Sequence, residues 1–244
     1  MFATASNCGA VIPCHNEAAS IADVVQRTRA VLPIVIVVDD GSTDGSGDIA
    51  SRAGARVLRI PARSGKGSSL AAGWSAASRA GLEWVLMLDG DGQHRPEEST
   101  ALLATAASDR LLIVGNRLHA PEAMPLVRRA TNRWMSRHLA RLTGCPLPDS
   151  QCGFRLAHLP TLLLLGLTAA HFEIESEMCV AFAGAGLMIT FVNVTPVYGM
   201  EHSKIHPLRD SWRWMLWLHR TRRSLRCRGL DTVQSATLGP FIPA

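Results

Sequence analysis

Short apolar segments alternate with amphipathic segments through the first half of the chain. Val, Ile and Leu are concentrated in five short runs, which predict strands at residues 9–13, 34–40, 56–60, 84–88 and 111–117. The second run is apolar on both faces, a pattern typical of a strand inside a parallel sheet. Strands that alternate with helices predict a doubly wound, mostly parallel α/β sheet, in which ligands bind beyond the carboxyl ends of the strands.

The segments between these runs have helical periodicity. Apolar residues share one helix face over residues 21–31, and Ser20 with Asp23 predicts a capping box at the start of that helix. Small residues predict a second helix over residues 67–80. Pro96, followed by two glutamates, is typical of a helix start. These segments supply the helices that flank the predicted sheet.

The second half of the chain is less regular. Periodicity predicts helices at residues 124–142 and 173–183, and a β-branched run predicts a strand at residues 188–197. The apolar segment 159–170 is shorter than the roughly 18 residues that span a bilayer, so it predicts a buried helix. We find no internal repeat or linker, which predicts one domain over residues 1–206, followed by a C-terminal extension.

Three of the predicted strands end in polar clusters, PCHNE, DDGSTD and DGDGQH. The carboxyl ends of parallel strands meet at one edge of a sheet, so these clusters should converge there. The convergence predicts a polar site at that edge, formed by Asn16, Glu17, Asp39, Asp40, Asp89 and Asp91.

The DGDGQH cluster has the composition of a cation site. Asp89 and Asp91 follow a buried strand, and Gln93 adds a neutral oxygen nearby. Such oxygens suit Mg²⁺ or Mn²⁺, whose remaining positions are filled by phosphate and water. A polar turn capped by aspartates is the better reading of an isolated DGD. The second acidic strand end and the basic groups described below favour the cation site instead.

The segment SGKGSS, residues 64–69, is rich in glycine around Lys66 and opens a predicted helix. Its backbone N–H groups are therefore candidates for an anion site. The spacing of a Walker loop is absent, and no strand leads into GxGxxG, which disfavours a dinucleotide site. Taken alone, this segment is equally well explained as a surface turn.

Composition adds two constraints. Hydrophobic residues make up 47% of the chain and charged residues 18%, which excludes a disordered protein. The six cysteines show no CxxC pair, and we interpret them as reduced cytosolic thiols. Only two of the 25 basic residues are lysines, Lys66 in the segment GKG and Lys204 in the segment HSKIHPLRD.

The C-terminal extension, residues 207–244, is basic and rich in tryptophan. Residues 211–228 place three tryptophans beside a cluster of arginines. A helix of this composition is expected to lie at a membrane surface, with indoles near the headgroups and arginines on anionic phosphates. The alternative is a helix that packs on the domain. Acidic strand ends argue against nucleic acid as the main partner.

Several motifs occur together in a fixed order: VIPCHNEAASI, VVDDGSTDGS, GKG, LDGDGQHRPE, GNR, DSQCGFR and HSKIHPLRD. Over residues 9–212 this order resembles family 2 glycosyltransferases, above all dolichol-phosphate mannosyltransferases and bacterial polyprenyl-phosphate glycosyltransferases. The resemblance implies an A-type glycosyltransferase fold, with residues 1–206 as its catalytic domain. His15 departs from the family, which often has tyrosine there, and DGD replaces the commoner DAD.

The resemblance also implies roles for particular residues. It assigns the metal to Asp89, Asp91 and Gln93, and catalysis to Asp91, Arg117, Arg155 and Lys204. The residues that it implies for substrate binding are Pro13, His15, Asn16, Glu17, Val38, Asp39, Asp40, Lys66, Asp89, Gly90, Arg117, Arg155, Ser203 and Lys204.

The implied reaction transfers a sugar from a UDP- or GDP-sugar to polyprenyl phosphate, with inversion and with Mg²⁺ or Mn²⁺. An ionised lipid phosphate needs no general base, whereas a hydroxyl acceptor does, and Glu175 and Glu177 are the candidates. The competing hypotheses are a family member with a soluble or protein hydroxyl acceptor and a non-catalytic nucleotide-binding relative. The expected location is cytoplasmic, peripheral on the inner face of the cytoplasmic membrane.

Overall fold

The structure, a computed structural model, describes residues 2–120, 124–197 and 207–227. The predicted site residues Ser203 and Lys204 lie outside the described residues. The described elements form one sheet with helices on its faces.

The sheet has seven strands in the order β3-β2-β1-β4-β6-β5-β7. Neighbouring strands run parallel at β2–β3, β1–β2, β1–β4 and β5–β7, and only β6 runs antiparallel to its two neighbours. The predicted mostly parallel α/β sheet is therefore confirmed. The strands are β1 (Cys8–Cys14), β2 (Val35–Asp40), β3 (Arg56–Ile60), β4 (Trp84–Met87), β5 (Leu112–Asn116), β6 (Arg155–His158) and β7 (Ile189–Asn193).

The helices follow the predicted order, with boundaries that shift by a few residues. A 3₁₀ turn at Pro96–Glu98 precedes the fourth helix, where Pro96 and the two glutamates predicted a helix start. The helices are α1 (Ile21–Val31), α2 (Ser46–Arg52), α3 (Lys66–Arg79), α4 (Ser99–Thr105), α5 (Leu126–Thr143), α6 (Leu159–Leu164), α7 (Ile174–Gly184) and α8 (Pro207–Cys227).

The main core lies on both faces of the central strands. All six residues of β2 are buried, as its β-branched sequence predicts. Helix α3 approaches the sheet at Gly73, where a Cβ atom would lie 2.3 Å from a methyl group of Val11. The glycine thus permits close helix–sheet packing, which brings the start of α3 to the carboxyl ends of the strands.

Two local predictions are wrong. The Ser20 hydroxyl donates to the Gly90 carbonyl at 2.7 Å and makes no capping bond to α1, so the capping box does not form. The helix predicted over residues 159–170 ends at Leu164, whose side chain is 70% exposed. Among the described residues, no helix is both long enough and apolar enough to cross a bilayer.

Helix α8 packs on the domain through a second, smaller core. Trp214 and Leu218 are buried against Leu139 of α5 and Cys179 of α7. The Trp214 indole N–H also donates to the Ser176 hydroxyl at 2.8 Å. The alternative prediction of a helix packed on the domain is therefore correct for one side of α8.

Candidate active site

A cavity of about 640 Å³ opens at the carboxyl ends of β1, β2 and β4. These three strands are neighbours and run parallel, so the polar clusters that follow them meet at one edge. Below we call this space the strand-end cavity. The predicted site residues that line it are Pro13, His15, Asn16, Glu17, Asp40, Lys66, Asp89, Gly90, Asp91 and Gln93.

A buried ion-pair network lies at the end of β4. The Lys66 ammonium group is 2.6 Å from Asp89 Oδ1 and 2.6 Å from Glu175 Oε1. His94 Nε2 lies 3.7 Å from Asp89 Oδ2, and the His94 ring stacks on Phe154. Lys66 therefore joins the start of α3 to β4 and α7.

The charges in this network leave a negative centre at Asp91. Although burial opposes it, the Lys66 ammonium keeps the pKa of Asp89 well below its usual range. Burial and the neighbouring Asp89 carboxylate raise the pKa of Asp91 above its usual value. Among the described residues, no basic side chain forms an ion pair with Asp91. Lys66 and His94 offset the charge of Asp91 only in part, so a cation beside it would be stabilising.

The donor set fits a hard divalent cation that also binds phosphate. In the described part of the chain, His, Cys, Asp and Glu form no group of three or more that could enclose a metal. Two carboxylates with open positions are typical of Mg²⁺ sites completed by substrate phosphates and water. Asp91, with Asp89 beside it, would hold such an ion.

Gln93 is held by its neighbours. Its backbone N–H donates to Asp91 Oδ1 at 3.0 Å, and its side-chain oxygen accepts a hydrogen bond from Arg128 Nη1 at 3.1 Å. Because a guanidinium group contacts the amide oxygen, this oxygen is less suited to a metal than the sequence predicts. Gln93 instead connects Arg128 of α5 to the Asp91 turn.

Asp40, at the end of β2, fixes the loop before α3. Its carboxylate accepts hydrogen bonds from the Ser64 N–H, the Ser64 hydroxyl and the Gly65 N–H, each within 2.8 Å. Burial alone would raise the pKa of Asp40, but these hydrogen bonds lower it. His15 Nδ1 lies 2.8 Å from the Asp40 carbonyl oxygen. The ionised Asp40 therefore anchors the cavity wall formed by Arg63, Gly65 and Lys66.

The turn after β1 is held by hydrogen bonds from the loop after β2. Asn16 adopts a left-handed backbone conformation, with φ of 53°, and its side-chain oxygen accepts from the Thr43 N–H at 2.8 Å. The Glu17 N–H donates to the Ser46 hydroxyl at 2.7 Å. The motifs PCHNE and DDGSTD thus form one hydrogen-bonded wall.

Two residues of β2 that were predicted to contact substrate, Val38 and Asp39, do not line the strand-end cavity. Val38 is fully buried and packs against α3 near Gly73. Successive side chains of a strand point to opposite faces, so Asp39 faces away from Asp40. Its carboxylate accepts from the Ser42 N–H at 3.0 Å and lies beside Gly47 of α2, and it does not line the cavity.

Two arginines that were predicted to contact phosphate, Arg117 and Arg155, lie away from the strand-end cavity. Arg117 is 5% exposed and forms a bidentate pair with Asp149, at 2.8 and 3.0 Å. Arg155 is 1% exposed, and its guanidinium donates at 2.7 Å to the carbonyl oxygens of Ser150, Cys152 and Glu175. Neither side chain lines the strand-end cavity. Both stabilise the loop before β6 instead.

The glycines of SGKGSS serve close packing rather than an open anion site. The Gly65 N–H donates to Asp40, and the Ser68 N–H donates to the Ala170 carbonyl at 3.2 Å. A Cβ atom on Gly67 would lie 1.9 Å from the Ala169 carbonyl oxygen. The N–H groups of Gly65 and Ser68 are therefore engaged within the protein.

Several cavity residues carry no sequence motif. Arg128 lies in α5 and Arg213 in α8, and His171 and Phe172 belong to the loop before α7. Arg128 and Arg213 each occur within an arginine-rich helix, so no spacing distinguishes them from surface arginines. Only tertiary packing reveals which arginines face the cavity.

Comparison with known proteins points to one family. Residues 10–159 match the model of glycosyl transferase family 2. The chain is 33% identical over 217 residues to glycosyltransferase AglJ of Haloferax volcanii, covering 87% of this chain and 71% of AglJ. It is 28% identical over 197 residues to an undecaprenyl-phosphate mannosyltransferase of Micrococcus luteus, covering 76% of this chain and 81% of that enzyme.

Solved structures agree on the fold. Glucosyl-3-phosphoglycerate synthase from Mycobacterium tuberculosis, in complex with UDP, superimposes with a TM-score of 0.66 at 24% identity. The match covers 88% of this chain and 79% of that protein. A second structure of that enzyme, with Mn²⁺ and UDP-glucose, gives a TM-score of 0.64 at 23% identity. This match also covers 88% of this chain and 79% of that protein.

Proposed function

The chain belongs to glycosyl transferase family 2, and from that premise we propose that it transfers a sugar from a nucleotide-sugar donor to polyprenyl phosphate. The observation that carries the proposal is the strand-end cavity. It combines a buried carboxylate whose pKa is raised, Asp91, with arginines from two helices, Arg128 and Arg213. Relatives named undecaprenyl-phosphate mannosyltransferase and polyprenol monophosphomannose synthase support a polyprenyl-phosphate acceptor.

The donor would lie along the strand ends. We assign the nucleoside to the wall formed by Pro13, His15 and Asp40, and the diphosphate to the end of β4. When Mg²⁺ or Mn²⁺ is bound, it neutralises the negative charge that develops on the leaving diphosphate. Asp91 would hold that ion, and Asp89 would lie beside it, fixed by Lys66 and His94.

The acceptor would approach from the helices. Arg128 and Arg213 line the cavity on the side of α5 and α8, where their guanidinium groups can orient a phosphate oxygen. The attacking oxygen of a phosphate monoester is already ionised near neutral pH, so the protein need not remove a proton. The attack from the face opposite to the diphosphate would invert the sugar carbon.

The two carboxylates considered as general bases for a hydroxyl acceptor are both engaged. Glu175 is paired with Lys66 and does not line the cavity. Glu177 accepts hydrogen bonds from the Thr168 N–H at 3.0 Å and the Ala169 N–H at 2.7 Å. Their positions favour an acceptor that needs no base, which supports a phosphate.

Exposed apolar residues precede the two cavity arginines in the sequence. Leu126 and Val127, just before Arg128, are 73% and 79% exposed, and Trp212, just before Arg213, is 66% exposed. Arg129, Arg133 and Arg137 recur every fourth residue along α5. We call these surfaces of the two helices the α5–α8 face.

We propose that the α5–α8 face contacts the inner surface of the cytoplasmic membrane, with its arginines on anionic headgroups. Each of the two cavity arginines follows an exposed apolar residue directly. A lipid phosphate in the cavity would therefore leave its hydrocarbon chain beside those apolar side chains.

A second candidate is a soluble phosphorylated acceptor. Glucosyl-3-phosphoglycerate synthase, which has the same fold, is described in complex with phosphoglyceric acid. Arg128 and Arg213 suit the phosphate of either acceptor. The exposed apolar residues beside them favour the lipid.

The test is a transfer assay with labelled UDP- and GDP-sugars and Mn²⁺. Undecaprenyl phosphate in detergent and 3-phosphoglycerate are offered in separate reactions. We expect label to enter the organic phase with the lipid, and transfer by the Asp91→Asn variant to be lower by about 10²- to 10³-fold. Transfer to 3-phosphoglycerate alone would replace the proposal with the second candidate, and hydrolysis without transfer to either would refute both acceptors.

A further inference from the structure

The ion-pair network at Asp89 includes Lys66 and Glu175, two charged residues that a metal site does not require. Lys66 contacts two carboxylates at 2.6 Å, yet only Asp89 lines the cavity, because Glu175 lies behind Lys66 and is almost buried. An ammonium group held between two carboxylates neutralises part of the charge of each. Asp89 is therefore already partly neutralised before any cation arrives.

The backbone around Lys66 restricts its movement. A Cβ atom on Gly153 would lie 2.6 Å from Asp89 Oδ2 and 2.9 Å from Lys66 Nζ, so the peptide chain closes directly over the pair. Arg155 donates to the Glu175 carbonyl oxygen at 2.7 Å, which fixes the first turn of α7. Buried groups hold Lys66 on both sides.

The charges of the network determine what it can bind. Asp89, Asp91 and Glu175 contribute three negative charges and Lys66 one positive charge. Glu175 is screened from the cavity by Lys66, so a cation there meets mainly Asp91 and a partly neutralised Asp89. Such a site is weak for a divalent ion until other oxygens are supplied.

We propose that Lys66 and Glu175 are positioning residues that make cation binding at Asp89 and Asp91 depend on the nucleotide. Lys66 holds Asp89 in place and competes with the cation for its charge, and Glu175 holds Lys66. The diphosphate supplies the missing negative oxygens, so cation and donor are retained together. The inference rests on the proposed nucleotide-sugar donor and deepens it.

The experiment measures Mn²⁺ binding directly, by calorimetry and by the electron paramagnetic resonance signal of free Mn²⁺. The ion is titrated into the protein alone and into the protein saturated with UDP, with GDP in parallel. For the unaltered protein we expect Mn²⁺ to bind at least about tenfold more weakly without nucleotide.

Lys66→Met removes the competing charge. We expect it to bind Mn²⁺ alone about tenfold more tightly than the unaltered protein, and the gain from nucleotide to shrink. Lys66→Arg keeps the charge and is the matched control, which should retain the dependence on nucleotide. Equal Mn²⁺ affinity in Lys66→Met and the unaltered protein, or equal affinity with and without nucleotide in the latter, would overturn the inference.

Glu175→Gln tests the same network in the opposite direction. In this variant Asp89 is the remaining acidic partner of Lys66, so Lys66 neutralises more of the charge of Asp89. We therefore expect Mn²⁺ to bind more weakly than in the unaltered protein when nucleotide is present. Because this variant buries no uncompensated carboxylate, it decides the question if Lys66→Met does not fold. An unchanged Mn²⁺ affinity in Glu175→Gln would refute the role of Glu175. If no nucleotide binds to any variant, the proposed donor fails, while the titrations with Mn²⁺ alone still report on Lys66.

Discussion

The two walls of the strand-end cavity are built in different ways. His15, Asp40 and Asp91 follow three adjacent parallel strands and are held within hydrogen-bonded turns. Arg128 and Arg213 come from α5 and α8, which reach the cavity because those helices pack on each other through a small core. Topology fixes the first wall, which we call the strand wall, and side-chain packing fixes the second, which we call the helix wall. If the first wall binds the donor and the second the acceptor, as proposed, the acceptor can change while the donor site is kept.

Asp91→Asn is expected to have the largest effect and to act on the strand wall alone. The change keeps the shape of the side chain and removes the charge that would hold the cation, so turnover should fall by about 10²- to 10³-fold. Stabilisation of the fold by UDP with Mn²⁺ should disappear in thermal unfolding, since a ligand stabilises only by binding the folded state. A variant that UDP and Mn²⁺ stabilise as much as the unaltered protein would refute the assignment.

The strand wall was also the part that the sequence predicted. Periodicity and β-branched runs locate β1, β2 and β4, and the parallel arrangement brings Asp40, Asp89 and Asp91 together. The sequence did not show that Asp40 lines the cavity while its neighbour Asp39 does not. The two side chains alternate across the strand, and the sequence does not state which face meets the cavity.

The helix wall was missed for a different reason. Arginines recur along α5 and α8, and hydrophobic periodicity does not distinguish Arg128 from Arg129. Strand β6 was missed because its four residues include Arg155 and His158, which do not resemble a buried strand. Arg155 is buried because three carbonyl oxygens accept its hydrogen bonds, two from the loop before β6 and one from α7, and side-chain periodicity does not reveal such partners.

Asp149→Asn tests the junction between the two walls. Asp149 and Arg117 form a buried bidentate pair in the loop that leads to β6. Removing the carboxylate breaks a buried charge pair, so the free energy of unfolding should fall by about 3–5 kcal/mol. Urea unfolding measures the loss. Asp48→Asn, which breaks an exposed pair with Arg59, is the control and should change stability by under about 1 kcal/mol.

The pH dependence of stability checks the same pair. Although burial opposes it, the Arg117 guanidinium lowers the pKa of Asp149 in the folded protein below its usual value of 3.8. A group whose pKa is lowered on folding contributes stability above its unfolded pKa and loses it as the pH falls towards the folded value. The difference between the unaltered protein and Asp149→Asn should therefore be constant from pH 7 to about pH 5 and should narrow below about pH 4. A constant difference down to pH 3 would contradict this account.

Arg128→Ala is expected to have a smaller effect, confined to the helix wall. Loss of one guanidinium contact to a phosphate should raise the KM for undecaprenyl phosphate by about tenfold and leave the affinity for the nucleotide unchanged. The measurement is steady-state transfer with the lipid varied. Arg141→Ala, at the exposed end of the same helix, is the matched control. An equal loss of nucleotide affinity would show that the two walls do not act separately.

The smallest expected effect concerns the apolar residues at the start of α5. Leu126 and Val127 are among the most exposed large apolar side chains, and each lies within two residues of Arg128. If they enter the membrane interface, replacing both by serine should weaken binding to anionic vesicles several-fold, since partial burial of the two side chains contributes about 1 kcal/mol in total. Flotation with phosphatidylglycerol vesicles measures the binding. Replacing Leu163 and Leu164 of α6, which are 41% and 70% exposed, by serine also removes two apolar side chains and should have no effect. Equal losses in both variants would mean that the vesicles bind exposed apolar surface without using the α5–α8 face.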